Sequence, residues 1–285
     1  MSFSYRLSAA LIAATIASVQ AEFAVAQLSA QQVEEIDRNQ CNPSEEIDFN
    51  EAIRLNPNDA EAYNGRGAVR YDQGDREGAI ADFNEAIRLN PSYAEAYYNR
   101  ALARSDQGDI EGEIADYNEA IRLEPSYADA YNNRALARYD QGDIQGALAD
   151  LNEAIRLEPS YAAAYGNRGY LRSQQGDIQG AIADYNEAID LDASYAAAYI
   201  NRGVVRYDQG DIQGALADYN EAIRLDPNDG DAYYNRALVR NEQRDKQGAI
   251  NDFKKASELY QQQGNTDSYR DAQNAIRELQ KELEV

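Results

Sequence analysis

Five asparagines stand at one spacing in this chain. Asn99, Asn133, Asn167, Asn201 and Asn235 each fall 34 residues after the last, and Gly65 holds the corresponding place before them. A side-chain amide both donates and accepts hydrogen bonds, so a row of them can grip the backbone of an extended peptide without reading its sequence. The same row can instead brace a wall of the protein itself, and spacing does not choose between the two. Tyrosines accompany the row at Tyr71, Tyr98, Tyr139, Tyr170, Tyr207 and Tyr234, with Leu102, Leu136, Val204 and Leu238 among them. Tyrosine is a side chain that protein contacts favour, while solvated tyrosines are the plainer reading.

Charge recurs at the same period. Arg66, Arg100, Arg134, Arg168, Arg202 and Arg236 form one row, and Arg70, Arg104, Arg138, Arg172, Arg206 and Arg240 follow four residues on. Asp82, Asp116, Asp150, Asp184, Asp218 and Asp252 form a third row. An unpaired buried charge is costly, so arginines on a packing face need acids within reach, and these aspartates are the candidates. An anion-binding ladder is the functional alternative to structural ion pairs.

Other chemistry is poorly supplied. The chain has no His, no Trp and a single cysteine, Cys41, which removes histidine-based triads and Cys/His zinc sites. The segment DPNDGD at 226–231 places its glycine one position early for a calcium loop, and no glutamate closes it. Each glycine of the period falls at a helical turn, not in a phosphate-cradling loop. No catalytic residue, no metal and no cofactor is expected.

Fifty acidic and 27 basic side chains give a formal charge of −23. Such a surface repels nucleic acid and anionic lipid and favours neutral or basic partners. At the N-terminus, MSFSYR carries one positive charge and LSAALIAATIASV supplies an apolar run of 13. Ala24-Val25-Ala26 and Val19-Gln20-Ala21 are both plausible cleavage sites, so residues 1–26 read as a signal peptide and the protein as exported, periplasmic or extracellular. The run is shorter than the roughly 20 residues a membrane span needs, and nothing later in the chain reads as one. Cys41 cannot form an internal disulfide.

The elements that position these rows come from one sentence of sequence, PNDAEAYNGRGAVRYDQGDREGAIADFNEAIRLN at 57–90. It recurs at 91–124, 125–158, 159–192, 193–226 and 227–260. Each copy reads as two helices. The first follows a proline, with Asn58…Glu61 and Ser92…Glu95 as capping boxes, and ends before a glycine such as Gly74. The next residue, Asp75 and its counterparts, caps the second helix. Residues 27–42 read as a linker, 43–56 as the second helix of a partial first repeat, and 261–285 as a terminal helix with Tyr269, Ala272, Ala275, Ile276 and Leu279 inward. So short a repeat cannot bury a hydrophobic face alone, and copies must stack.

Tyr63, Gly67, Gly74, Ala79, Phe83, Ala86 and Pro91 carry a pattern that resembles the tetratricopeptide repeat (TPR) family, and six copies stand in register. The resemblance covers residues 45 to about 260 and implies an all-α, right-handed α-solenoid of stacked helix-turn-helix repeats, whose first helices line an inner groove that binds proteins or peptides. The chain departs from the family where arginines replace a leucine, where Glu113 replaces the small alanine of the second helix, and at Asp190 and Ala193. At about 100° per residue, Tyr63, Arg66, Gly67 and Arg70 share one face of the first helix and Asn64, Gly65, Ala68, Tyr71 and Asp72 the other. The first is the packing face, so the tyrosines at 63, 97, 131, 165, 199 and 233 are expected in the core. The second, by the resemblance, lines the groove.

The expected function is a non-enzymatic scaffold. Asn99, Asn133, Asn167, Asn201 and Asn235, with Tyr98, Tyr139, Tyr170, Tyr207 and Tyr234, would hold a basic or neutral extended segment in an acidic groove. Self-association through the array ends is the alternative, ahead of a carboxylate-based metal or enzymatic role.

Overall fold

The computed structural model describes residues 43–283. The signal peptide, the linker and Cys41 all lie outside the described residues. Among these there are fourteen α-helices and no strand. They fall into two compact units, whose described residues are 43–164 and 165–283. The first holds α1 (Pro43–Leu55), α2 (Ala60–Asp72), α3 (Arg76–Leu89), α4 (Ala94–Ser105), α5 (Ile110–Leu123), α6 (Ala128–Asp140) and α7 (Ile144–Leu157). The boundary falls within α8 (Ala162–Gln174). The second unit continues with α9 (Ile178–Leu191), α10 (Ala196–Asp208), α11 (Ile212–Leu225), α12 (Gly230–Glu242), α13 (Lys246–Gln262) and α14 (Thr266–Leu283). Within each unit successive helices pack on one another, so the fold is all-α, with stacked helix-turn-helix repeats.

Local chemistry sets the helix ends. Gly74 has φ 86° and Gly142 φ 89°, a left-handed turn that a Cβ would strain. Arg244 takes the same place in the sixth repeat with φ 66° and bears that strain. The aspartate after each turn caps the second helix as expected. Asp75 accepts from the Gly78 N–H at 2.9 Å, and Asp211 from that of Gly214 at 3.0 Å.

The first helices begin differently from the sequence expectation. At the start of α4 the capping residue is Tyr93, which makes no side-chain cap bond. Ser92 bonds instead to Asn90, whose carbonyl oxygen accepts from the Ser92 N–H at 3.1 Å and its hydroxyl at 2.8 Å. Asn90 thus closes a turn on its own backbone and takes the group the capping box needed. In the first repeat Asp59, not Asn58, is the cap, and accepts from the Ala62 N–H at 3.0 Å.

Small residues bring the helices of each hairpin together around one buried ring or leucine. Ala79 and Ala86 are fully buried about Phe83, and a Cβ on Gly67 would lie 2.6 Å from the Phe83 ring. Burying such a side chain contributes about 1.5–3 kcal/mol. Tyr117, Leu151, Tyr185, Tyr219 and Phe253 fill the same place in later repeats.

The arginine rows close on the aspartates, as the packing face requires. Arg66 donates from Nε and Nη2 to the two carboxylate oxygens of Asp82 at 2.8 and 2.6 Å, and Arg70 donates to the same carboxylate at 2.9 Å. Arg66 also donates from Nη1 to Asn50 of the preceding second helix at 2.8 Å. One carboxylate thus ties two turns of the first helix, and its arginine reaches back to the previous repeat. Asp150 repeats the frame with Arg134, Arg138 and Asn118. In the second unit Asp218 does so with Arg202, Arg206 and Asn186.

A second expectation fails. The tyrosines at 63, 97, 131, 165, 199 and 233 are half-buried rather than core. Each carries the guanidinium of the arginine three residues on over its ring, 5.4 Å from the centroid at Tyr63 and 5.3 Å at Tyr131. Cation–π contact needs only one covered ring face, so these rings stop at the rim of the packing face.

Candidate functional site

One turn of helix advances about 3.6 residues, so residues four, three and four apart share a stripe. On α10 that stripe carries Ala197, Asn201, Val204 and Asp208, and on α12 Asp231, Asn235, Leu238 and Glu242. The equivalent stripe of α4 carries Glu95, Asn99 and Leu102 and runs on to its C-cap Asp106, and that of α6 carries Asp129, Asn133, Leu136 and Asp140. No lysine or arginine stands on any of them.

The asparagines divide by what stands beside them. Asn99 donates to the Asn64 side-chain oxygen at 3.1 Å, and Asn133 donates to the Tyr98 hydroxyl at 2.9 Å. Asn64 and Tyr98 occupy one position, immediately before the ladder residue of the preceding repeat. In the second unit that position holds Gly166 and Ile200, which have no side-chain acceptor. Asn201 and Asn235 accordingly make no side-chain hydrogen bond among the described residues and are half-buried. Asn167 is buried at 5% exposure and engaged. Tyr98 was a candidate site residue and Asn64 was placed on the same face, but the sorting role of Asn64, Tyr98, Gly166 and Ile200 escaped sequence reasoning. Their signal was a column varying in hydrogen-bonding capacity next to one that is asparagine in five of six repeats.

The tyrosines divide as well. Tyr98 is half-buried, stacked on Tyr127 with centroids 4.8 Å apart and planes at 30°. Tyr139 is half-buried and engaged. Tyr170, expected on the groove face, is buried at 5% exposure, and Tyr71 is buried beneath the Arg76 guanidinium. Tyr207 donates to Glu242 at 2.5 Å, linking α10 to α12, and burial holds its hydroxyl well above the usual range with help from that carboxylate. Tyr234 packs edge-on to Phe253 at 5.1 Å, and burial, with Asp271 and Asp231 nearby, pushes its hydroxyl up to about 12. Both remain neutral at ordinary pH.

The acids of the second unit are partly desolvated. Burial raises the Asp208 carboxyl above its ordinary value. Asp229 and Asp231 are half-buried neighbours, and desolvation raises both carboxyls. Asp229 caps α12 by accepting from the Asp231 and Ala232 N–H groups, and Asp231 accepts from the Tyr260 hydroxyl at 2.5 Å. These bonds give the DPNDGD segment a structural role. Among the described residues no group of three or more acids or cysteines is arranged to hold a metal ion, and no helix is long and apolar enough to cross a membrane.

Helical hairpins that pack on one another within each unit define a helical-repeat fold. Residues 69–108, 103–142, 135–176, 169–210 and 205–243 match the family described as TPR repeat, and 48–86 and 230–267 match descriptions of the tetratricopeptide repeat. The chain belongs to the tetratricopeptide repeat family, whose members are protein-interaction scaffolds.

No curated protein matches the chain. Among solved structures it is similar to the APC/C hetero-tetramer Cut9-Hcn1, at 18% identity and a TM-score of 0.70, covering 81% of this chain and 45% of that one. The chain therefore spans less than half the length of that relative. It is similar to YrrB, described as a TPR protein with an unusual peptide-binding site, at 22% identity and a TM-score of 0.53, over 65% of this chain and 95% of that one. A tetratricopeptide repeat protein from Parabacteroides merdae matches at 20% identity and a TM-score of 0.64, over 90% of this chain and 99% of that one. At these identities the likeness is one of fold.

Proposed function

We propose that the chain is a non-enzymatic scaffold that holds an extended, neutral or basic segment of another protein against the stripes of α10 and α12. The observation that carries this reading is the pair of unpaired amides at Asn201 and Asn235. A half-buried amide without a protein partner forgoes hydrogen bonds that an incoming backbone supplies. Two of them on neighbouring first helices suit an extended strand, whose backbone offers donors and acceptors at regular intervals. Asp208, Asp231 and Glu242 flank the amides with no basic residue on the stripes, which disfavours an acidic segment. YrrB, similar in fold, is described as binding peptide. The N-terminal sequence pattern supports export as the route to the partner.

A random peptide display library provides the test. Selected peptides should be neutral or basic, and should bind Asn201→Ala/Asn235→Ala at least tenfold more weakly, about 1.4 kcal/mol. The Asn99→Ala/Asn133→Ala protein should bind them as the wild type does. Equal binding by the first variant and the wild type would overturn the proposal. If nothing is selected and the protein instead sediments as a concentration-dependent oligomer, self-association takes its place.

A further inference from the structure

Glu113 stands where every other repeat has an alanine: Ala79, Ala147, Ala181, Ala215 and Ala249 are all fully buried. Glu113 is itself only 5% exposed. Its place on α5 faces the end of α4, where Ser105 replaces the Tyr71 and Tyr139 of the neighbouring repeats. The smaller serine leaves room for the longer acid, and its hydroxyl bonds to the carboxyl.

Among the described residues no ion pair reaches the carboxyl. From α4, Arg104 is committed to Asp116 at 2.9 Å and to the Gly112 carbonyl at 3.0 Å, and Asp106 is held by Arg76 of α3 at 2.5 Å. On the chain of α5 itself, Asp109 caps the helix, Asp116 is bound by Arg100 and Arg104, and Tyr117 is buried and neutral. From α6, Asp140 makes no ion pair among the described residues and is raised by burial, while Arg138 turns to Asp150 at 2.7 Å. Among the described residues Glu113 thus has the Ser105 hydroxyl as a hydrogen-bond partner, with Tyr117 and the acids Asp106, Asp109 and Asp140 near enough to act on its charge.

We propose that Glu113 makes the joint of α4, α5 and α6 a pH-sensitive catch, closed while its carboxyl is protonated and loosened as that proton is lost. Burial raises the carboxyl from 4.5 to about 8, with Asp140, Asp106 and Asp109 adding repulsion against the opposing Ser105 bond. The closed joint therefore keeps the proton through neutral pH, whereas the opened joint gives it to water. A raised carboxyl contributes stability that is complete below its ordinary value and is lost as pH rises through its folded value. The window runs from 4.5 to about 8.

Backbone hydrogen exchange of the full chain, corrected for intrinsic rates, tests the catch. Between about pH 6 and about pH 8, protection of the amides in α5 and the adjoining turns of α4 and α6 should fall about tenfold per pH unit, one proton being released on opening. Glu113→Ala, the residue of every other repeat, should be flat over that range, and so should the uncharged isostere Glu113→Gln. A wild type as flat as these variants, or variants that keep the wild-type slope, would overturn the proposal.

Discussion

The two units use one sentence of sequence and leave its central residue in different states. In the first, Asn99 and Asn133 donate to Asn64 and Tyr98, so each first helix is stitched to the one before it through the ladder. In the second, Gly166 and Ile200 stand where those acceptors would be, and Asn201 and Asn235 keep their amides. The Arg–Asp frame, by contrast, is the same in both: Arg134 and Arg138 on Asp150 match Arg202 and Arg206 on Asp218. The difference teaches that the neighbouring column decides whether the amide is spent on bracing or left open, and the open pair is where we propose that the segment binds.

The largest effect should come from the shared frame. Asp150→Ala strands two arginines at a buried site and should cost about 3–5 kcal/mol in chemical denaturation, and Asp218→Ala should cost a similar amount. A marked inequality would break the claim that the frames are equivalent. Arg134→Ala leaves Arg138 to cover the acid and should cost about 1–3 kcal/mol.

The ladder itself comes next. Asn99→Ala and Asn133→Ala should each lose about 0.5–1.5 kcal/mol of stability, whereas Asn201→Ala and Asn235→Ala should stay within about 0.5 kcal/mol of wild type. Equal losses at all four positions would erase the distinction. Tyr98→Phe sharpens it: the ring keeps its stack on Tyr127, but Asn133 loses its acceptor. The variant should lose about 1 kcal/mol and bind the selected peptides as the wild type does, read by calorimetric titration.

The smallest effect lies outside the ladder. Arg244 occupies the left-handed turn that glycine takes elsewhere in the array. Arg244→Gly should raise stability by about 0.5–1 kcal/mol, measured by thermal melting. No gain would mean that Arg244 makes compensating contacts.

Much of this architecture was legible in the sequence because the repeat prints each physical requirement several times over. The 34-residue period located the hairpins, the glycine turns and the Asp75-type caps. Charge on a packing face demanded acids, and the Asp82 row was there to meet it. What escaped was contact-specific. Periodicity assigns Tyr63 and its counterparts to a face but cannot say how deep they lie, and the stacked arginines keep them at the rim. Ser92 carried the capping signature, yet Asn90 competed for its hydrogen bonds. The fate of the ladder turned on Asn64, Tyr98, Gly166 and Ile200, whose variation has no meaning until the preceding helix is in place. Glu113 stood out as a departure, but its lack of an ion pair among the described residues needed the neighbours' partners to be known.

The most direct test watches the asparagine side chains themselves. With the Nδ2 amide resonances assigned, hydrogen exchange in the free protein should be slow at Asn99 and Asn133 and near the solvent rate at Asn201 and Asn235. Added peptide should slow the second pair alone. Four side chains exchanging alike in the free protein, or peptide protecting Asn99 and Asn133 instead, would contradict the account.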